Sequence, residues 1–260
     1  MKKHIITVAS LAIAPLMLAS EASAQINFTS GWSGEASLNG SVTTGNTETT
    51  DIGLGAKLQK EDGKWRQKFD ALFDRGSVSG IRTRQRLDFG YQIERDFSDR
   101  LYGFANASYF DDDFGAFQDG FYVGAGAGYK VILPDPIGWN LEAGAGYRDQ
   151  TAQDTFGTIT PPIGLPFLGV IPGVSTGEFG LRGFSDFDYK FNDNVSLYND
   201  TEILWSDSDT YIWNEVGITA QLVGNLAARA SFRVDNHSNP PLGAVGTDTI
   251  TRFGIVYTLN

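Results

Sequence analysis

From Trp32 to its end the chain repeats with a period of two, apolar residues on one parity and polar residues or glycine on the other. That period puts alternate side chains on opposite faces of an extended strand, and a helical stripe at i, i+3, i+4 does not reproduce it. The clearest run sets Leu87, Phe89, Tyr91 and Ile93 against Arg82, Arg84, Arg86, Asp88 and Gln92. Another sets Trp65, Phe69, Ala71 and Phe73 against Lys64, Arg66, Lys68, Asp70 and Asp74. Twelve such segments follow one another, over roughly 31–43, 51–60, 64–74, 82–94, 100–110, 120–131, 139–149, 178–191, 195–206, 210–222, 225–235 and 248–259. The fifth has large residues on both parities, Tyr102, Phe104 and Phe110 against Leu101 and Tyr109, so its phase is open.

Most of these segments are longer than the five or six residues usual in soluble sheets and close to the length that crosses a bilayer at a tilt. Short connections at 61–63, 96–99, 131–138, 192–194 and 223–224 interleave with mostly longer ones at 44–50, 75–81, 111–119, 150–177, 207–209 and 236–247. Within a membrane every backbone group must find a partner in the sheet, so the sheet has to close. The expected fold is therefore all-β: a transmembrane antiparallel up-and-down β-barrel of about twelve strands, with ten as the alternative count. Trp32, Trp65 and Trp139 open strands, Trp205 and Trp213 flank an outer connection, and Tyr91, Tyr129, Tyr189 and Tyr257 close strands on the opposite side. Rings at strand ends read as interfacial girdles, whereas a soluble β-sandwich would bury them in its core.

The segment before the strands reads as an address. Lys2, Lys3 and His4 precede the apolar run 5–19, and Ala22-Ser23-Ala24 has the small-x-small pattern that signal peptidase reads. Residues 1–24 are expected to be a cleaved secretory signal peptide and 25–260 the barrel, in the outer membrane of a Gram-negative bacterium. Export sends the first strand outward and leaves the short connections in the periplasm.

Composition excludes several functions. There is no Cys, hence no disulfide scaffold and no thiolate chemistry. A net charge of −11 argues against nucleic-acid binding, and two histidines argue against a His-rich metal centre, so no cofactor is expected. Beyond the leader the sole histidine is His237, and its neighbour Ser238 would point to the opposite face of a strand, so no enzyme is expected. Asp111, Asp112, Asp113 and Asp119 offer hard oxygen ligands without calcium-loop spacing, and read as a solvated acidic loop or a contact for the divalent ions that bridge lipopolysaccharide.

If the apolar parity faces lipid, the other parity lines the lumen. Lys57, Lys64, Arg66, Lys68, Arg82, Arg84 and Arg86 then form a basic wall, accompanied by Asp51, Asp70, Asp74 and Asp88. Asp186, Asp188, Asp200, Glu202 and Glu215 form an acidic wall opposite, with Arg182 and Lys190. Facing walls of opposite sign make a transverse field that orients charged solutes in transit, unless neighbouring charges pair and fill the barrel. Gly124, Gly126, Gly128, Gly144 and Gly146 on the inward parity either open space or make room for Tyr102 and Phe104. The connection 159–174 is strongly apolar for a water-facing loop, and is expected to fold over the mouth or to contact a partner or lipopolysaccharide.

The C-terminal run resembles the signal read by the barrel-assembly machinery, with Arg252, Gly254, Tyr257 and Leu259 in its positions and Asn260 where such proteins usually end in Phe or Trp. Over nearly the whole length after the leader, the chain resembles the salt-induced outer-membrane protein family, a domain family of unknown function. The match is carried by Trp32 and Gly34, Gly45-Asn46-Thr47, Gly126, Gly128 and Tyr129, Gly144, Gly146 and Tyr147, Pro240-Pro241, and Asp248-Thr249. The resemblance implies a monomeric barrel in the outer membrane, linked to salt or envelope stress, and supplies neither catalytic residues nor a substrate. The expected function is a narrow passive channel for small solutes, with a non-conducting structural or adhesive barrel as the alternative. Membrane lipid, lipopolysaccharide and the assembly machinery are the expected partners.

Overall fold

The computed structural model describes residues 31–45, 49–133, 135–160, 165–241 and 243–259. The leader 1–24, Asn46-Thr47, residues 161–164 of the apolar connection and Asn260 lie outside the described residues. Fourteen strands follow in order: β1 (Trp32–Thr44), β2 (Thr49–Asp62), β3 (Trp65–Val78), β4 (Ile81–Asp96), β5 (Leu101–Asp112), β6 (Phe117–Ile132), β7 (Ile137–Ala152), β8 (Thr155–Ile159), β9 (Phe167–Ile171), β10 (Ser175–Asn192), β11 (Val195–Ser206), β12 (Thr210–Val223), β13 (Leu226–His237) and β14 (Thr247–Leu259).

Twelve of them close into one antiparallel barrel. Each pairs with its neighbours in sequence, except that β7 pairs with β10 and β14 returns to β1. The closing pair runs in register from Gly34 opposite Leu259 to Thr44 opposite Thr249, so no edge is left with unpaired backbone groups. The remaining two strands, β8 and β9, form a separate hairpin inside the connection read from sequence as loop.

The alternation sorts side chains as the period of two requires. Leu38, Val42, Ile52, Leu54, Phe73, Phe89, Val123, Leu181, Ile203, Ile218, Phe253 and Ile255 are exposed on the outer face. The buried groups inside include Asn39, Asp51, Asp74, Arg84, Glu94, Asp112, Glu142, Arg148, Arg182 and Arg252. Apolar outside and ionic inside is the reverse of a soluble sandwich, and is what a lipid solvent selects. β5 resolves in favour of its aromatic parity: Tyr102 and Phe104 are buried inside, while Leu101 and Tyr109 are exposed.

The strands run further than the alternation alone suggested. The outer connection expected over 75–81 is a two-residue turn, with Ser79 at φ 52° and Gly80 at φ 80°. Positive φ at both positions matches the twist of a tight hairpin, which lets β3 and β4 pair up to Val78 and Ile81. Of the expected girdle, Trp65, Tyr91, Tyr129 and Tyr257 are exposed on the outer face, and the Arg95 guanidinium lies 5.4 Å from the Trp65 ring centre. Trp213 departs from that expectation. It shares the inward parity with Glu215 and stacks under Arg233 at 4.2 Å, so it belongs to the lumen.

Candidate functional site

The inward glycines do not open space; they seat aromatic rings. A Cβ on Gly128 would stand 2.5 Å from Tyr102 Oη, one on Gly126 2.7 Å from Phe104 Cζ, and one on Gly146 2.6 Å from Tyr122 Cζ. These rings fill the lumen beside β5–β7 and hold a charged network. Tyr102 donates a hydrogen bond to Glu142 Oε1 at 2.9 Å, and Gln92 donates to the same oxygen at 2.8 Å. Arg182 reaches the other Glu142 oxygen at 2.8 Å and Glu202 at 2.7 Å, with its guanidinium over Phe184 and Phe104.

The residues expected to form the basic wall are distributed as follows. Lys64 stands in the exposed Gly63–Lys64 turn, because β2 and β3 end one residue to either side, so it lies off the wall. Arg66 and Lys68 face the lumen but share Glu94, with Arg66 Nε 2.7 Å from Oε2 and Lys68 Nζ 2.7 Å from Oε1. Arg84 and Arg86 both lie 3.6 Å from Asp112, and Arg86 also grips Asp88 at 2.7 Å. Arg82 sits at the outer rim, 3.4 Å from Asp113. The acidic triplet is thereby divided, Asp112 turned inward and Asp113 to the rim, while Asp119 accepts a hydrogen bond from Thr151. Lys57 stands apart on β2, with its ammonium 5.6 Å from the Tyr198 ring.

On the acidic side, Glu202 pairs with Arg182, and Glu215 accepts from Tyr198 Oη at 2.7 Å, with Arg233 at 3.9 Å. Asp186, Asp188 and Asp200 make no ion pair among the described residues; Asn140 donates to Asp186 at 3.2 Å. Asp200 lies within electrostatic range of Lys57, Asp186, Asp188 and Glu215, and Asp70 reaches towards the same lysine. The positive wall is therefore largely neutralised by acids on the same and adjacent strands, and the carboxylates of Asp186, Asp188 and Asp200 gather about Lys57.

The outer half is packed by charge pairings that sequence reasoning did not foresee. Asp74 on β3 meets Arg252 on β14 at 3.1 Å, across the two intervening strands β1 and β2 of the curved wall. Near the outer mouth Asp209, in the β11–β12 connection, is a hub. Its carboxylate takes Arg148 at 3.2 Å, His237 Nδ1 at 2.6 Å, Ser238 Oγ at 3.1 Å and the Asn239 N–H at 3.0 Å. Burial alone would raise its pKa; the bonds from His237 and Asn239 and the charge of Arg148 outweigh that, holding the carboxyl well below the usual carboxylate range. His237 also stacks on Tyr211, with ring centres 4.6 Å apart. The parity of Glu94 and Glu142 was open to reading from the strands; Asp209 sits in a loop, where alternation says nothing.

The proposed assembly positions lie on the last strand. Arg252 and Gly254 face inward, Gly254 against Asn39, where a Cβ would stand 2.8 Å from Leu38 O; Tyr257 is exposed outside. Leu259 is the final residue of β14, paired with Gly34 on β1.

Similarity to known proteins agrees with the barrel. The translocator domain of the autotransporter NalP from Neisseria meningitidis superposes with a TM-score of 0.50 at 13% identity, covering 87% of this chain and 88% of that one. The COG4313 outer membrane channel from Pseudomonas putida F1 gives 0.49 at 10% identity, covering 88% and 95%. The KdgM porin in complex with disordered oligogalacturonate gives 0.46 at 10%, covering 87% and 99%. At these identities the likeness is one of fold. Among curated proteins no sequence match is found. A family model described as "Protein of unknown function, DUF481" matches residues 35–259, nearly the whole barrel, and the chain belongs to that family.

Proposed function

We propose that the protein is a narrow, gated outer-membrane channel for small solutes, cations favoured, with the Asp209 hub as its outer gate. The observation that carries this reading is the chemistry of the packed lumen. Beside the rings packed against β5–β7 it is filled largely by charged side chains, and buried atoms such as Arg84 Nη2, Arg148 Nε and Asp74 Oδ1 have no hydrogen-bond partner among the described residues. A polar interior left partly unsatisfied is easily exchanged for water, unlike an apolar core. The carboxylates Asp186, Asp188 and Asp200, outnumbering the lysine they gather about, supply a cation preference.

Planar-bilayer recording on the purified chain tests this. Asp209→Ala frees Arg148 and His237 and is expected to raise the open probability of a cation-selective conductance. Asp188→Asn with Asp200→Asn is expected to move the reversal potential towards zero in a salt gradient. Silence from the parent chain and from both variants would refute the channel. The second reading, a non-conducting structural barrel, is favoured by the Tyr102–Glu142–Arg182–Glu202 network spanning β5, β7, β10 and β11, and it would then stand. Both readings place the chain in the outer membrane as a monomer. Assembly runs through the Arg252, Gly254, Tyr257 and Leu259 strand, and a link to salt or envelope stress is checked by expression under osmotic shock.

A further inference from the structure

Inward-facing side chains fall into two zones along the strands. On β1 Asn39, Ser41 and Thr43 are buried, while Ser33, Glu35 and Ser37, nearer the short turns, are only half-buried. On β2 Asp51 is buried, whereas Lys57 and Gln59 are exposed. β3 carries Asp74 at 1% exposure and, nearer its short-turn end, an exposed Asp70. The register puts Asn39, Gly53 and Asp74 in one row of the wall, and Glu35, Lys57 and Asp70 in another closer to the short turns. The step from buried to exposed thus runs level across three strands. It recurs on β10, where Arg182 is buried and Asp188 and Lys190 are exposed. That strand stands opposite β2, with five strands between them on either side.

Lys57 is exposed although its ammonium lies 5.6 Å from the ring of Tyr198, which reaches it across the lumen from β11. A side chain flanked by the opposing wall and still exposed stands in a hollow that admits water. The other half has contacts that bar the lumen. Phe117 on β6 meets His237 on β13 with ring centres 5.0 Å apart, and four strands lie between them on one side and six on the other. Arg148 with Asp209 and Asp74 with Arg252 add ion pairs between elements that are not neighbours in the sheet. We infer that the barrel at rest is a one-ended cup, wet from the short-turn end to the level of Lys57 and Asp70, and sealed from Asn39 and Asp74 to the long connections. From Lys57 to the end of β2 at Asp62 the strand runs roughly 17 Å. The cup lies off-centre, because Glu94 and Tyr102 are buried on the flank of β4 and β5. Small water-soluble solutes enter and leave it from the short-turn side, the periplasm in the orientation expected from export, while the outer half stays shut. The cup goes beyond the channel reading, since it stands whether or not that half ever opens.

The absence of Cys makes the test clean. Gln59→Cys and Lys57→Cys in the cup, Thr43→Cys in the sealed half and Asp207→Cys in an exposed outer connection are made singly in the full chain. Each is reconstituted in lipid nanodiscs, where both ends of the barrel are reachable, and its reaction with trimethylammonium-ethyl methanethiosulfonate is followed by mass. Gln59→Cys and Lys57→Cys are expected to react within about tenfold of the Asp207→Cys rate, and Thr43→Cys about a hundredfold slower or more, since it waits for local opening. Thr43→Cys as fast as Lys57→Cys would mean that water fills the whole lumen, and would overturn the cup. Lys57→Cys as slow as Thr43→Cys would mean that the lumen is packed throughout, and would overturn it too. Labelling needs no current, so silence in planar bilayers refutes the channel and leaves the cup to these rates. Heat-dependent gel mobility of each variant checks that the barrel has formed.

Discussion

Adding one methyl group at Gly128 tests whether the inward glycines hold space for rings or leave it empty. The new Cβ would lie 2.5 Å from Tyr102 Oη, well inside contact distance, and Tyr102 is only 2% exposed, so the ring cannot simply swing away. Overpacking of this kind costs about 1–3 kcal/mol. Displacing the hydroxyl also weakens its bond to the Glu142 carboxylate, adding about 1 kcal/mol. Against this, alanine is favoured over glycine by ~0.5–1 kcal/mol through the unfolded chain. The balance is a loss of about 1–3.5 kcal/mol for Gly128→Ala with Tyr102 present. In a Tyr102→Ala background the same change is expected to be slightly stabilising, so the pair should couple by about 2–4 kcal/mol. Urea unfolding in lipid vesicles, followed by tryptophan fluorescence and run as a double-mutant cycle, reads this directly. A neutral Gly128→Ala in the parent chain, with no coupling, would mean that the glycines leave open lumen and that the packing argument is wrong.

Two further outcomes follow from the charged interior. Asp209 ionises below the unfolded aspartate value of about 3.9. It therefore contributes stability above roughly pH 4, and that stability is lost as the pH falls through that value towards the folded one. The protection of the 236–239 amides against hydrogen exchange, relative to their intrinsic rates, should fall on acidification in the parent chain, and should be low at every pH in Asp209→Asn. Removing Arg252 leaves Asp74 buried without its cation: Arg252→Met is expected to destabilise the barrel by about 3–5 kcal/mol, whereas Arg252→Met with Asp74→Leu should recover most of the loss. Equal damage from the single and the double variant, by urea midpoint, would show that the pair is not the reason for the cost.

How much of this was legible in the sequence depends on the range of the interaction. The period of two fixed which face of each strand meets lipid, because a one-residue slip would carry every charge of β4 to the outside. Arg66, Lys68, Arg84, Arg86, Asp186, Asp188, Asp200, Glu202 and Glu215 all lie on inward parities. Lys64 lies in a turn one residue outside its strand, where parity assigns no face. Trp213 departs from the girdle reading, since an aromatic at a strand end satisfies both a girdle and a lumen stack and only Arg233 decides between them. The apolar 159–174 connection announced itself by composition, but its pairing into β8 and β9 did not, because prolines and glycines dilute the alternation.

By itself the sequence determined that this chain closes a barrel of about twelve strands, because alternation along strands of membrane-crossing length leaves closure as the way to satisfy the backbone; the structure decided twelve over ten. Tertiary structure alone decided what fills it. Parity points a side chain inward but does not say whom it meets there. The meetings of Arg252 with Asp74 and of Arg148 with Asp209 arise from the curvature of the wall, which brings together elements that are not neighbours in the sheet, and that of Arg182 with Glu142 and Glu202 from the pairing of β10 with β7 and β11. On the expected basic wall, Glu94, Asp88 and Asp112 pair with Arg66, Lys68, Arg84 and Arg86 on the same or adjacent strands, while Asp186, Asp188 and Asp200 gather about Lys57.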